Sequence, residues 1–247
     1  MDSLLAMEAT DQWSSELDID WRLPICYPFW FRRRTYIKVI SQFYHGERAT
    51  QRVCQKLLSM IDDPQARAFI THQLAEEQKH EMVFARYVHR MGEIAPMEPA
   101  MEKALEGSLA WTGHPIGLIV SFHIIFEGGA VLLLDRLVRR FPCPLFRSLN
   151  AKIIADEARH IAFGKKYVRD HVAELSDLER RAIFSHVAKL WLDCAKAAES
   201  RYSWPVALVT RLGANWLAEN WQRQRRQLIT NGLISLSEAN EIEKKLI

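Results

Sequence analysis

From about residue 35 onward, apolar residues recur three and four positions apart, the period of a helix that buries one face. Stretches that alternate apolar and polar are nearly absent, so strands are not expected. Proline and glycine divide the helical pattern. A first helix is expected at about 36–61, stopped by Asp62-Asp63-Pro64. A second follows at about 64–91, with Pro64 suited to its first turn and Gly92 to its end. Residues 93–114 contain Pro96, Pro99, Gly107 and Gly113 and read as a connection with a short helical piece. A third helix runs at about 115–140, up to Phe141-Pro142-Cys143-Pro144, and a fourth covers about 145–172. Further helices are expected at about 176–199, 205–230 and 236–246.

Connection lengths carry topology. The first and second helices, and the third and fourth, are joined by turns of a few residues, so each pair should be antiparallel. The connection between the pairs is long enough to run the length of a bundle. Two hairpins and one long crossover predict an all-α four-helix bundle; an irregular helical domain without a crossover is the alternative. On this reading residues 1–35 are an N-terminal extension, 36–172 form the bundle, and 173–247 are C-terminal helices packing on the same domain.

Composition narrows the class without naming it. Of 247 residues, 49% are hydrophobic and 26% charged, which suits a soluble globular chain with a sizeable core. A net charge of +3, with the charges interspersed, gives no nucleic-acid footprint. Cys26, Cys54, Cys143 and Cys194 form no C-x-x-C pair, and scattered thiols fit a reducing cytoplasm. The acidic start MDSLLAMEATDQWSSELDID lacks a signal-peptide layout, so a cytoplasmic location is expected. From Pro115 to Leu134 only His123 and Glu127 are ionisable, an apolar length close to a membrane span. A buried bundle helix has the same composition and is preferred, because Glu127 has counterparts elsewhere.

Those counterparts are regularly spaced. Two E-x-x-H pairs occur, Glu77 with His80 and Glu157 with His160, against about 0.7 expected by chance from 19 Glu and 9 His. Glu47 precedes Glu77 by 30 positions, and Glu127 precedes Glu157 by 30, once in each expected hairpin. Residues i and i+3 share a helix face, and a short antiparallel turn brings the upstream glutamate level with the pair. All four glutamates sit on apolar stripes. Burying them unpaired would cost several kcal/mol each, and two divalent cations would cancel their charge. Four carboxylates and two imidazoles suit iron or manganese better than zinc.

With Glu47, Glu77, His80, Glu127, Glu157 and His160 as candidate ligands, the chain resembles the ferritin-like di-iron carboxylate superfamily. The segments Glu76–His80 and Asp156–His160 look like the paired acidic-E-x-R-H motifs of bacterial multicomponent monooxygenases. The resemblance implies two iron ions (or a Mn/Fe pair), O2 as co-substrate, and a small, slender or carrier-bound organic substrate. It also implies a separate electron donor, a ferredoxin or a reductase. Asp156 would orient His80, and Glu76 would orient His160. The absence of C-x-x-C sets the chain apart from rubrerythrin. Phe84 stands where ribonucleotide reductase small subunits usually place a radical tyrosine. Around Glu157 to Phe163 the chain is similar to arylamine N-oxygenases, but Ile153 stands where those carry a further histidine. The compact layout is similar to that of aldehyde-deformylating oxygenases. His123, four residues before Glu127, reads as an outer-sphere or packed histidine.

Gly128-Gly129 after Glu127, with Gly164 one turn beyond His160, suggest a π-bulge or an opening for O2 and substrate, with Gly128, Gly164 and Phe84 as its walls. Pro28-Phe29-Trp30-Phe31-Arg32-Arg33-Arg34 suggests docking to a membrane surface, a donor or a carrier, or aromatics packed under solvated arginines. The tryptophan-rich C-terminal helices suggest a cover or a homodimer interface. The expected function is an O2-dependent monooxygenase or oxidase; ferroxidase or iron storage without an organic substrate is the alternative.

Overall fold

A computed structural model describes residues 12–27, 31–201 and 214–246. These residues form helices α1 (Arg33–Leu58), α2 (Pro64–His89), α3 (Pro99–Leu109), α4 (Pro115–Ile119), α5 (Glu127–Arg140), α6 (Pro144–His171), α7 (Asp177–Arg201), α8 (Ala214–Thr230) and α9 (Leu236–Leu246). A π-helical segment, Val120–Phe126, lies between α4 and α5, and a short 3-10 turn, Val172–Glu174, follows α6. No strand occurs among the described residues, as the periodicity implies. The first part of the helix expected at 205–230 lies outside them.

Local chemistry explains the boundaries. Asp63 caps α2 by accepting from the N–H groups of Gln65 and Ala66, and Pro64, which has no N–H to leave unpaired, opens the helix. α1 starts three residues before the expected position, with Phe31 packed on Phe141 at its entrance. Pro28, Phe29 and Trp30 lie outside the described residues; Arg32, Arg33 and Arg34 are exposed.

The chain divides into two compact units, one of residues 1–98 and 130–160, the other of 99–129 and 161–247. In the first unit α1 and α2 pack along their lengths, burying Tyr36, Ile40, Val53 and Leu57 with Phe69, Ile70, Phe84 and Val88. Residues before α1 are held here too: Arg90 donates to the carbonyls of Trp21 and Leu23, and Arg86 pairs with Glu16 at 2.7 Å. In the second unit α7 is the common support, contacted by α3, α4, α8 and α9. The presumed connection at 93–114 therefore supplies a helix to the C-terminal group. Trp191 stacks on Trp221 at 6.2 Å in that unit.

The helix expected at 115–140 is long and apolar enough to cross a membrane, and its most apolar window is 72% buried within the protein. Its π segment lies before Glu127 rather than at the two glycines. The glycines do something else. A Cβ on Gly128 would stand 2.6 Å from the Gln224 side chain of α8, and one on Gly129 would stand 3.3 Å from Asn220. At Gly164 it would meet the His123 Cβ at 2.5 Å. Gly128 and Gly164 are thus sites of close helix approach, and the expected opening along them is filled by Gln224 and His123. Phe84 is a core residue stacked on Phe43 at 5.6 Å.

This packing predicts opposite responses to one methyl group. Alanine in place of a helical glycine gains up to about 1 kcal/mol, but at Gly164 it meets an atom anchored to the backbone. Gly164→Ala should therefore lose about 1–3 kcal/mol net, whereas Gly129→Ala, facing the end of a side chain, should be neutral or stabilising. Urea denaturation of both variants checks the sign.

Candidate metal centre

Helix periodicity delivers the site residues of the first unit. On α2, Glu77 and His80 are separated by one turn; on α6, Glu157 and His160 repeat that relation; α1 contributes Glu47. All five are buried. Oxygens of Glu47, Glu77 and Glu157 and a nitrogen of His80 lie within 4.8 Å of one another.

The two imidazoles enter this cluster in the same sense. His80 Nδ1 lies 3.6 Å from Glu77 Oε2, 3.5 Å from Glu157 Oε1 and 3.9 Å from Glu47 Oε2. His160 Nδ1 lies 3.1 Å from Glu77 Oε1 and 3.6 Å from Glu157 Oε2. Glu77 and Glu157 therefore each turn one oxygen toward each histidine, spanning the pair. Yet Nδ1 of both histidines and Oε2 of both glutamates have no hydrogen-bond partner. Buried polar atoms are nearly always satisfied, and donors that converge without bonding each other fit cations between them.

The outward ring nitrogens contrast with this. His80 Nε2 bonds Asp156 Oδ2 at 2.9 Å, and His160 Nε2 bonds Glu76 Oε2 at 2.8 Å. Each acid sits beside the glutamate of one E-x-x-H pair and holds the histidine of the other, so α2 and α6 are tied crosswise. Arg159 NH2 joins the acids, donating to Glu76 at 2.7 Å and to Asp156 at 2.6 Å. Trp13 Nε1 donates to Asp156 at 2.7 Å while its ring stacks on His80, and Lys79 lies over that indole at 4.3 Å. Gln12 donates to Glu76 at 3.2 Å, and Gln73 to Glu77 at 3.1 Å. With Nε2 bonded to a carboxylate, Nδ1 is left to serve as a metal donor.

The electrostatics follow from burial against charge. Burial, then the neighbouring Glu77, pushes the Glu47 carboxyl well above its ordinary value. Burial opposes a charge on either imidazole, but Asp156, Glu157 and Glu77 raise His80, and Glu157, Glu76 and Glu77 raise His160, far above normal. Burial likewise pushes Glu77 up, and the two imidazoles outweigh it and hold it well below. Asp156 is held down at about 2, its burial outweighed first by the His80 bond. In a metal-free cluster, protons thus carry the compensating charge that cations carry in a loaded one.

In the second unit, Glu127 begins α5 where the π segment ends, and it is buried. A π turn takes in an extra residue and resets the face presented by those that follow. His123, inside the segment, is buried with its ring 5.4 Å from Phe163. Sequence reasoning missed Trp13 and Gln12, for which no periodic signal existed, and Gln73, whose i, i+4 spacing to Glu77 on α2 could have found it. It also gave no role to Arg159, although that residue stands inside the E-x-R-H motif.

The chain matches the family of p-aminobenzoate N-oxygenase AurF over residues 48–197. It is similar to a solved structure of an R2-like ligand-binding oxidase, a point variant with an aerobically reconstituted Mn/Fe cofactor. The TM-score is 0.52 at 16% identity, covering 99% of this chain and 93% of that one. A second structure of an R2-like ligand-binding oxidase with that cofactor, after a long soak, gives 0.47 at 16% identity over 99% and 92%. The first likeness speaks for a shared ferritin-like helical fold. No curated protein matches the sequence.

Removing an orienting acid should show in metal retention. Asp156→Ala is expected to weaken metal binding about 10–100-fold, read by competition with a chromogenic chelator. Retention equal to the parent would mean that Asp156 does not set the His80 donor.

Proposed function

We propose a chemistry for this site from one premise: the chain belongs to the family of p-aminobenzoate N-oxygenase AurF and is a non-haem di-iron oxygenase or oxidase. In this reading Glu47, Glu77, His80, Glu157 and His160 of the first unit hold the two metal ions. Glu127 completes the set, on the strength of its burial and of the spacing it shares with Glu47. The observation that carries the proposal is the spanning arrangement of Glu77 and Glu157, each with one oxygen toward each histidine. Two divalent ions balance four glutamates, and the carboxylate-rich set suits iron in both positions or a Mn/Fe pair.

When bound, the metal pair supplies the electrons and open positions that O2 reduction needs. The chain's own residues do the rest. Asp156 and Glu76 fix the imidazoles with Nδ1 inward, and Arg159, bonded to both acids, holds them in place. Phe69, set edge-on to His160, and Phe84 are part of the apolar packing of α2, which excludes bulk water from reactive chemistry.

The substrate is proposed as a small organic molecule, free or carrier-borne, with electrons from a ferredoxin or reductase. Ile153, buried at the place of the further histidine of arylamine N-oxygenases, leaves a set of six ligands. The proposed setting is the cytoplasm, as a homodimer, with peripheral membrane contact through Arg32, Arg33 and Arg34 at the start of α1.

Elemental analysis followed by rapid mixing of the reduced protein with O2 tests the reading. About two metals per chain and fast O2-dependent oxidation are expected from a di-metal site; many irons per chain would mean an iron store. Glu77→Ala and Glu157→Ala should drop the content toward one or none with the helical circular dichroism retained. Full occupancy in both variants would overturn the assignment. Stripping the metals with a chelator should lower the melting temperature, because ligand binding to the folded state alone stabilises it.

A further inference from the structure

We propose that Tyr87, Tyr36, Cys143 and Cys26 form a second redox site in the first unit, which drains oxidising equivalents from the metal pair into a dithiol when organic substrate is absent. The proposal rests on the metal-pair reading above.

The residues are concentrated. Three of the chain's six tyrosines and two of its four cysteines meet here. Tyr36 and Tyr87 share a hydrogen bond between hydroxyls at 2.8 Å, and the Tyr87 hydroxyl lies 3.3 Å from Cys143 Sγ. The Cys26 N–H donates to that sulfur at 3.3 Å, which brings the two cysteines into contact. Tyr27, half-buried, stacks on Tyr36 at 5.5 Å and extends the cluster toward the surface. Tyr36, Tyr87 and Cys143 are fully buried.

Packing does not call for these groups. Phe31, Phe141 and Phe146 pack against the same rings, and phenylalanine would serve where the tyrosines stand. The phenol hydroxyls bond each other and Cys143, whose sulfur also accepts from the Phe146 N–H at the start of α6. Their chemistry is what sets them apart: phenols and thiols are the side chains here that give up an electron and a proton together. Burial raises both phenols far above their ordinary pKa, so they stay protonated until oxidised. Tyr87 follows His80 by seven residues on α2, about 10 Å along the axis, with Phe84 between them. The path runs from the metal-ligand helix through Tyr87, whose hydroxyl reaches Cys143, with Tyr36 bonded to that hydroxyl as its proton partner.

The step balances. Two S–H bonds break and one S–S bond forms between Cys26 and Cys143. For each O2, two electrons come from the reduced metal pair and two from the dithiol. With the two thiol protons, released past half-buried Cys26, and two from solvent, O2 becomes two waters. A disulfide needs Cβ atoms about 3.5–4.5 Å apart, and an N–H of one cysteine on the sulfur of the other is compatible with that approach.

The test uses the full chain loaded anaerobically with ferrous iron, its content measured first, then exposed to O2 without organic substrate. Peptide mass mapping under non-reducing conditions should find Cys26 joined to Cys143. Loading with zinc, which is redox-inert, should leave both thiols free under the same O2, with the fold unaltered by mutation. Tyr36→Phe and Tyr87→Phe, at equal iron content, should lose most of the disulfide. Thiols still reduced in the iron-loaded parent, or a disulfide formed as fast with zinc or in Tyr87→Phe, would overturn the relay while leaving the metal site standing. A chain that takes up no iron would overturn the metal-pair reading and the relay with it.

Discussion

Five carboxylates, those of Glu47, Glu76, Glu77, Asp156 and Glu157, lie buried in one compact unit, where unbalanced negative charge is expensive. Arg159 and Lys79 answer Glu76 and Asp156 on the outer side. Among the described residues no Lys or Arg pairs with the inner glutamates; they face the Gln73 amide, which bonds Glu77, and two imidazoles, whose inward nitrogens make no hydrogen bond. That charge must be met by protons or by metal, and the choice between them makes the cluster a site rather than a strained core. A structural core would not leave four converging donor atoms unpaired when ordinary hydrogen bonds were within reach.

The two layers of the cluster have different tasks. The outer one is densely bonded: Asp156 receives His80, Trp13 and Arg159, and Glu76 receives His160, Arg159 and Gln12. Because each acid crosses to the other helix, neither α2 nor α6 can rotate without breaking a buried charged bond. The inner layer is aimed by the outer one and left unsatisfied. The segment before α1 belongs to this stiffening, since Trp13 both bonds Asp156 and covers the His80 ring. The tyrosine–cysteine cluster lies in the same unit, with its hydroxyls bonded to one another and to Cys143.

The second unit shows backbone adaptation in place of charge. Its π segment ends on Glu127, and Gly164 lets His123 approach where a Cβ would not fit. Gly128 and Gly129 admit the amide side chains of Gln224 and Asn220 from α8. Close approach of helices is a reason for glycine in a helix interior that needs no opening to solvent.

Helix content, most element boundaries and the pairing of Glu77 with His80 and of Glu157 with His160 were legible in the residues, because helix period and i, i+3 spacing are local properties of the chain. The shared spacing of Glu47 and Glu127 before those pairs was legible for the same reason. Partners without periodic signal were not: Trp13 lies 143 positions from Asp156, and no pattern before α1 announces it. Nor could the residues tell whether Gly164 faces a void or a neighbour, since a glycine records only the absence of a side chain and the helix opposite decides what fills the space. The π segment was misplaced because a β-branched and aromatic run such as Val120–Phe126 has no local preference for the wider turn. Its position was decided by tertiary packing, which can impose a strained turn that no local rule would choose.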